Sequence, residues 1–204
     1  MSYQLNRWWL LVLVIIGLLL GAAYSVKPVQ LKGRGLAQLA CLWLIIFIGP
    51  MAFIAALLNV VPTLAVIVFA AAYGTLQMGV ILVNTAEDYP EDLAAGICTT
   101  IVALGLQRGI ALAAWLALLG SLGVLASLFW LAHGPLLVWL ALLLTAAACV
   151  YATVSIRRLA RRIAGNDLEL SIQTVKQAAK KVPLWITAVA WSTLLATFVI
   201  FYLR

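Results

Sequence analysis

Residues 35–86, GLAQLACLWLIIFIGPMAFIAALLNVVPTLAVIVFAAAYGTLQMGVILVNTA, run for 52 positions without an Asp, Glu, Lys or Arg. A bilayer core about 30 Å thick is crossed by about 20 helical residues, so this run holds two spans rather than one. Asn59 and Pro62 punctuate its middle, where a tight turn between helices belongs. The rest of the chain divides the same way. Residues 8–26 form a charge-free run of 19, residues 109–156 one of 48 centred on His133-Gly134-Pro135, and residues 182–203 one of 22. Six helices are expected, near 8–24, 36–58, 62–84, 109–131, 135–155 and 183–203. The apolar runs are continuous rather than alternating, which excludes a barrel. With 66% apolar residues and a mean hydropathy of +1.15, the expected fold class is an all-α polytopic membrane protein, one transmembrane domain over 1–204.

Charge sets the orientation. A net charge of +7 in a soluble domain would point to nucleic acid. Here the positions of the cations explain it, and no nucleic-acid partner is expected. Lys27, Lys32 and Arg34 follow the first span, and Arg108 precedes the fourth. Arg157, Arg158, Arg161, Arg162, Lys176, Lys180 and Lys181 follow the fifth, making eleven of the 13 cations on one side. By the positive-inside bias these loops face the cytoplasm and both termini face out, in an integral, multi-pass protein of an inner or cytoplasmic membrane. Trp8, Trp9, Trp130, Trp139, Trp185 and Tyr202 fall near expected helix ends, as an aromatic belt requires.

The first run also carries signal-peptide features, with small residues at Gly21-Ala22-Ala23. Paired Trp8-Trp9 at its start and stop-transfer cations after it favour a retained helix. Residues 166–182 differ in kind. Leu168, Ile172, Val175, Ala179 and Val182 recur at helical spacing opposite Glu169, Gln173, Lys176 and Lys180, which predicts a cytoplasmic interfacial helix in contact with membrane lipid. Cys41, Cys98 and Cys149 show no metal-ligand spacing and read as packing residues. His133, beside Gly and Pro, reads as a turn residue.

The stretch Asn84–Gly105, NTAEDYPEDLAAGICTTIVALG, places Glu87, Asp88, Glu91 and Asp92 within six residues of a chain that is 9% charged. Carboxylates bracketed by long apolar runs mark a functional-site candidate; the plainer reading is a solvated acidic loop. The pattern N-x-x-x-D-x-x-x-D-x-x-x-G-x-x-T-x-x-V-x-L-G is met by Asn84, Asp88, Asp92, Gly96, Thr99, Val102, Leu104 and Gly105. It resembles the second aspartate-rich motif of the UbiA superfamily of intramembrane prenyltransferases. Upstream, Tyr24-Ser25-Val26-Lys27-Pro28-Val29-Gln30-Leu31-Lys32-Gly33-Arg34 is similar to that family's Y-S-x-P-P-x-R-x-K segment. The two segments stand two helices apart, as in the family.

The resemblance implies a site in which Asp88 and Asp92 are catalytic and hold Mg²⁺ against a prenyl diphosphate. Tyr24, Lys32, Arg34, Asn84 and Arg108 would contact substrate. The chemistry is consistent, because Mg²⁺ takes one or two carboxylates plus phosphate oxygens, and carboxylates at i, i+4 of a helix point the same way. Lys32, Arg34 and Arg108 would compensate the leaving group. Tyr24 reads equally as an interfacial anchor. The sequence departs from the family in three ways. The first motif, N-D-x-x-D-x-x-x-D, is missing from the 23 residues before Tyr24; Leu93 stands where a basic residue follows the second Asp; Gln30 and Lys27 replace an Arg and a Pro. The expectation is therefore a UbiA-like bundle truncated at its N-terminus, with two open functions. One is a prenyltransferase completed by a missing half. The other is a non-catalytic UbiA-derived subunit packed among other membrane protein subunits. A transporter ranks behind both, since no charge lies mid-helix.

Overall fold

The computed structural model describes residues 8–202, apart from the side chain of Trp9. Arg7, Arg204, the end of the last expected helix at 203 and the placement of both termini lie outside the described residues. Within them the chain is helical, with one isolated bridge between Arg34 and Cys98. The helices are α1 (Trp8–Ser25), α2 (Leu36–Leu58), α3 (Leu64–Glu87), α4 (Tyr89–Ala94), α5 (Thr100–Leu104), α6 (Leu106–Leu131), α7 (Leu136–Ile163), α8 (Leu168–Ala179) and α9 (Val182–Tyr202). Five of these, α2, α3, α6, α7 and α9, are long and apolar enough to cross a membrane, and α1 is a shorter apolar helix. This is an all-α polytopic membrane protein.

Local chemistry explains where helices stop and bend. Asn59 ends α2 in the left-handed conformation (φ 56°), which a short amide side chain tolerates. Pro62 follows three residues later. Within α2, residues Leu44–Ile48 widen into a π turn directly before Gly49-Pro50. Pro50 has no N–H to give the carbonyl one turn back, and its ring crowds that turn, so the helix loosens there. Gly134 (φ 128°) turns the chain between α6 and α7. Asp167 caps α8, its side chain accepting from the Leu170 N–H at 2.8 Å.

The core is built on α3 and α6, the most closely paired helices, with α7 against α6 and α9 against α7. Two glycines set that approach. A Cβ on Gly79 would stand 2.6 Å from the Ala113 carbonyl oxygen, and one on Gly120 would stand 2.6 Å from the Leu76 Cα. Small residues let backbones meet where lipid offers no hydrophobic drive between helices. Polar links cross the same core: Ser121 and Thr153 hydroxyls share a 2.9 Å hydrogen bond, and Thr145 donates to the Ser192 carbonyl at 2.9 Å.

Two helices run well past their expected C-terminal ends. The third span continues three residues past its expected end to Glu87, and Asp88 caps it. The fifth continues to Ile163, so Arg157, Arg158, Arg161 and Arg162 ride on a helix rather than a loop. Charge marked the edge of the apolar run, but Arg is a good helix former and the helix does not stop at the membrane surface. The interfacial segment forms α8, which packs on α3 and α7 through Ser171, Val175 and Ala179, while Leu168 stays exposed. All described charges sit at one end of the bundle, joined there by Gln107 Nε2 donating to the Ile163 carbonyl (3.0 Å) and by a Lys176–Glu91 ion pair (3.1 Å).

Candidate functional site

The site forms where the loop between α1 and α2 meets the loops on either side of α4. Gly96 (φ +67°) reverses the chain after α4, carrying residues 97–100 back toward Arg34. The Gly35 N–H donates to the Cys98 carbonyl at 2.7 Å, and the Thr100 hydroxyl donates to the Gly35 carbonyl at 2.8 Å. Gly35 itself adopts φ +57°, a conformation a side chain resists. The two segments that carry the family resemblance are thus stitched together by backbone.

One residue links three elements. Gln38, 3% exposed on the first turn of α2, accepts from the Thr100 N–H at 2.8 Å through Oε1. Its Nε2 donates to the Tyr24 hydroxyl at 3.2 Å. Sequence reading passed over Gln38 because it carries no charge and sits inside a 52-residue neutral run. The available signal was an amide in the first turn of an otherwise apolar helix. Tyr24 is therefore half-buried against α2 rather than free at the interface.

The Asp92 N–H donates to the Asp88 carbonyl at 2.8 Å, the bond of one helical turn, so the two residues stand one turn apart. Asp88 is exposed and Asp92 is only 6% exposed. Burial pushes the Asp92 carboxyl above its ordinary value. The Lys32 ammonium and a hydrogen bond from Thr99 pull against this, while Asp88 and Glu91 add to it. Glu91 moves the other way, held low by its own backbone N–H and then by Lys176. Asn84 is exposed one turn before Asp88, on the last turn of α3.

Arg34 is tied to its own loop, Nε donating to the Val29 carbonyl at 2.8 Å. With Lys27, Gly33 and Gly96 it lines a polar crevice of about 380 Å³. Arg108 opens instead onto a crevice shared with Asn166, Leu168 and Ser171, and the charges that act on Asp92 are Lys32, Asp88 and Glu91. The structure so gathers Lys32, Asp88 and Asp92 and sets Arg108 apart. Below the loops, an apolar groove of about 370 Å³ runs between α2, α3 and α6, walled by Leu39, Trp43, Met78 and Leu116.

Among the described residues no three His, Cys, Asp or Glu side chains converge as a metal cage. Two mutually repelling carboxylates beside a lysine fit a Mg²⁺ that arrives with a diphosphate and keeps water ligands, not a resident ion. No curated protein and no solved structure matches the chain. The model of the UbiA prenyltransferase family matches residues 1–165, from α1 through α7, and so includes both stitched segments. Families of this kind use Mg²⁺ through aspartate motifs, and the chain belongs to the UbiA prenyltransferase family.

Proposed function

We propose that the protein transfers an isoprenoid chain from a prenyl diphosphate to an acceptor, with the diphosphate at Asp88, Asp92 and Lys32. The observation that carries this is the buried Asp92, one helical turn from Asp88 and within the field of the Lys32 charge, together with an apolar groove between α2, α3 and α6. Asp88 and Asp92 would hold Mg²⁺, which when bound with the diphosphate neutralises the charge that grows on the leaving group. Lys32 hydrogen-bonds a diphosphate oxygen and stabilises the same charge. In the transfer the allylic carbon–oxygen bond breaks, its electron pair leaving with diphosphate. The acceptor nucleophile bonds to the allylic carbon and gives up its proton. The groove supplies an apolar track for the chain, and Gln38, next to Leu39 of the groove wall, ties Tyr24 and Thr100 to the start of α2. These residues carry one aspartate motif, so the reading requires a segment bearing the other, in the same polypeptide or a partner.

A non-catalytic subunit is the second reading. It is favoured by the sparse packing of α2, of which 6% of the membrane window is buried against 39–44% in α3, α6, α7 and α9. A face so open suits a covering partner. Mg²⁺-dependent binding of a prenyl diphosphate to the purified protein, beside Asp88→Asn/Asp92→Asn, separates the two. Binding lost in the double variant supports the transferase. No binding by folded protein, with co-purification of other membrane subunits at fixed stoichiometry, supports the subunit.

A further inference from the structure

On the far side of α8 from the Lys176–Glu91 pair, α7, α8 and α9 converge around a crevice of about 320 Å³. Arg158 and Arg162 enter it from the last turns of α7, and Lys181 enters from the junction before α9. None of the six acids lines it, and among the described residues the one ion pair is Lys176–Glu91. Three cations therefore share a small polar space without a counter-ion. Such crowding is unfavourable unless an anion joins it.

The crevice also holds neutral donors. Tyr151 and Ser155 line its α7 wall. Trp185, 2% exposed, lines the α9 side, and its indole Nε1 is buried without a hydrogen-bond acceptor. A buried donor left unmet is uncommon in a settled core and marks a place where an acceptor is missing.

Depth identifies the source of that phosphate. At 1.5 Å per residue, the 28 residues of α7 extend about 42 Å, well beyond a hydrocarbon core of about 30 Å. Its final turns stand in the headgroup layer. Tyr151, Ser155, Arg158 and Arg162 follow one another at intervals of four, three and four, along a single helix face. The same face continues toward the bilayer centre through Leu144 and Leu140, exposed by 52% and 50%. Cations at headgroup depth, an aromatic at the boundary and exposed leucines beneath follow the anatomy of a phospholipid.

We propose that this crevice binds the phosphate headgroup of an anionic phospholipid, with Arg158, Arg162 and Lys181 as its cations. The site is independent of the Asp88–Asp92 region and of the catalytic question. It clamps α7, α8 and α9 through one ligand, so bound lipid stabilises the fold as any ligand of the native state does.

The test uses the full chain in detergent micelles doped with phosphatidylglycerol or phosphatidylcholine, with lipid retention by native mass spectrometry and Tm as readouts. Arg158→Gln/Arg162→Gln is compared with Arg157→Gln/Arg161→Gln. The second pair removes the same charge from the adjacent faces of the same helix, where Arg157 lies 5.7 Å over the Trp115 ring. We expect phosphatidylglycerol to be retained and to raise Tm in the parent. The crevice pair should lose on the order of 100-fold in affinity, about tenfold for each charge-assisted contact to phosphate, and the control pair no more than the surface-potential share common to both. Equal losses in both pairs would reduce the effect to surface potential and overturn the site. Inorganic phosphate acting at millimolar concentration, with phosphatidylglycerol no better than phosphatidylcholine, would overturn the lipid assignment.

Discussion

Gln38 and Thr100, 62 positions apart, share a buried hydrogen bond of 2.8 Å from the Thr100 backbone N–H to the Gln38 side-chain oxygen. That single contact fastens the start of α2 to the start of α5, and through Tyr24 it reaches the end of α1. An amide side chain suits the post because it accepts and donates at once.

Gln38→Leu keeps the bulk and removes both functions. Thr100 is fully buried, so its N–H would be stranded at a cost of about 1–3 kcal/mol. We expect Tm to fall by about 2–4 °C for each kcal/mol lost. The exposed Cys98, whose carbonyl accepts from Gly35, should react faster with a maleimide as the loop loosens. Unchanged Tm together with unchanged Cys98 reactivity would mean that the backbone pairing holds the loops without Gln38.

The α3–α6 contact makes a sharper prediction about glycine. Gly120→Val would drive a side chain into the Leu76 backbone and cost about 1–3 kcal/mol or more, read as lost thermal stability. Gly21→Ala on α1 meets nothing within 4 Å and should leave stability within about 1 kcal/mol of the parent. If the two variants melt alike, close backbone approach is not what holds the core.

Asp92 predicts the sign of a pH effect. Burial raises its carboxyl above the ordinary 3.8, so the folded state prefers the protonated form. Its contribution is favourable at low pH and is lost as pH rises through the raised value. The neutral isostere Asp92→Asn should therefore melt no lower than the parent at pH 8, with the difference shrinking toward pH 4. Divalent-cation binding runs the opposite way, since the metal needs the carboxylate, and should strengthen as pH rises over the same window. A variant that is less stable at pH 8, and increasingly so with pH, would show that Lys32 outweighs burial.

The sequence and the structure agree where single physical rules act alone. Span length follows from charge-free runs such as 35–86; Asn59 ends α2 and Gly134 turns the chain between α6 and α7, where turns were expected. The rule fails when two roles overlap. Arg157–Arg162 signal the membrane surface and also form good helix, so α7 outruns its apolar segment. Leu168 belongs to the apolar stripe of α8 by periodicity, yet the buried face begins at Ser171 because α8 leans on α3 and α7. At the candidate site, the spacing of Asp88 and Asp92 was legible because it is local. The Gln38–Thr100 bond was not, because no local pattern encodes a partner 62 residues away.

Orientation in the membrane is the remaining consequence, and the native cysteines suffice to measure it. Cys98 is exposed in the candidate site, while Cys41 and Cys149 are buried in helices. On the cation bias, the loop carrying Cys98 is expected in the cytoplasm. A membrane-impermeant maleimide should then leave intact cells unlabelled and modify one cysteine once the membrane is opened. Cys98 also pairs through its backbone with Arg34, so a prenyl diphosphate bound with Mg²⁺ between the two loops should slow that labelling. Labelling of intact cells would invert the topology and put the acidic cluster outside, away from a cytoplasmic supply of diphosphates. Labelling restricted to opened cells, but unaffected by diphosphate, would keep the topology and count against the site.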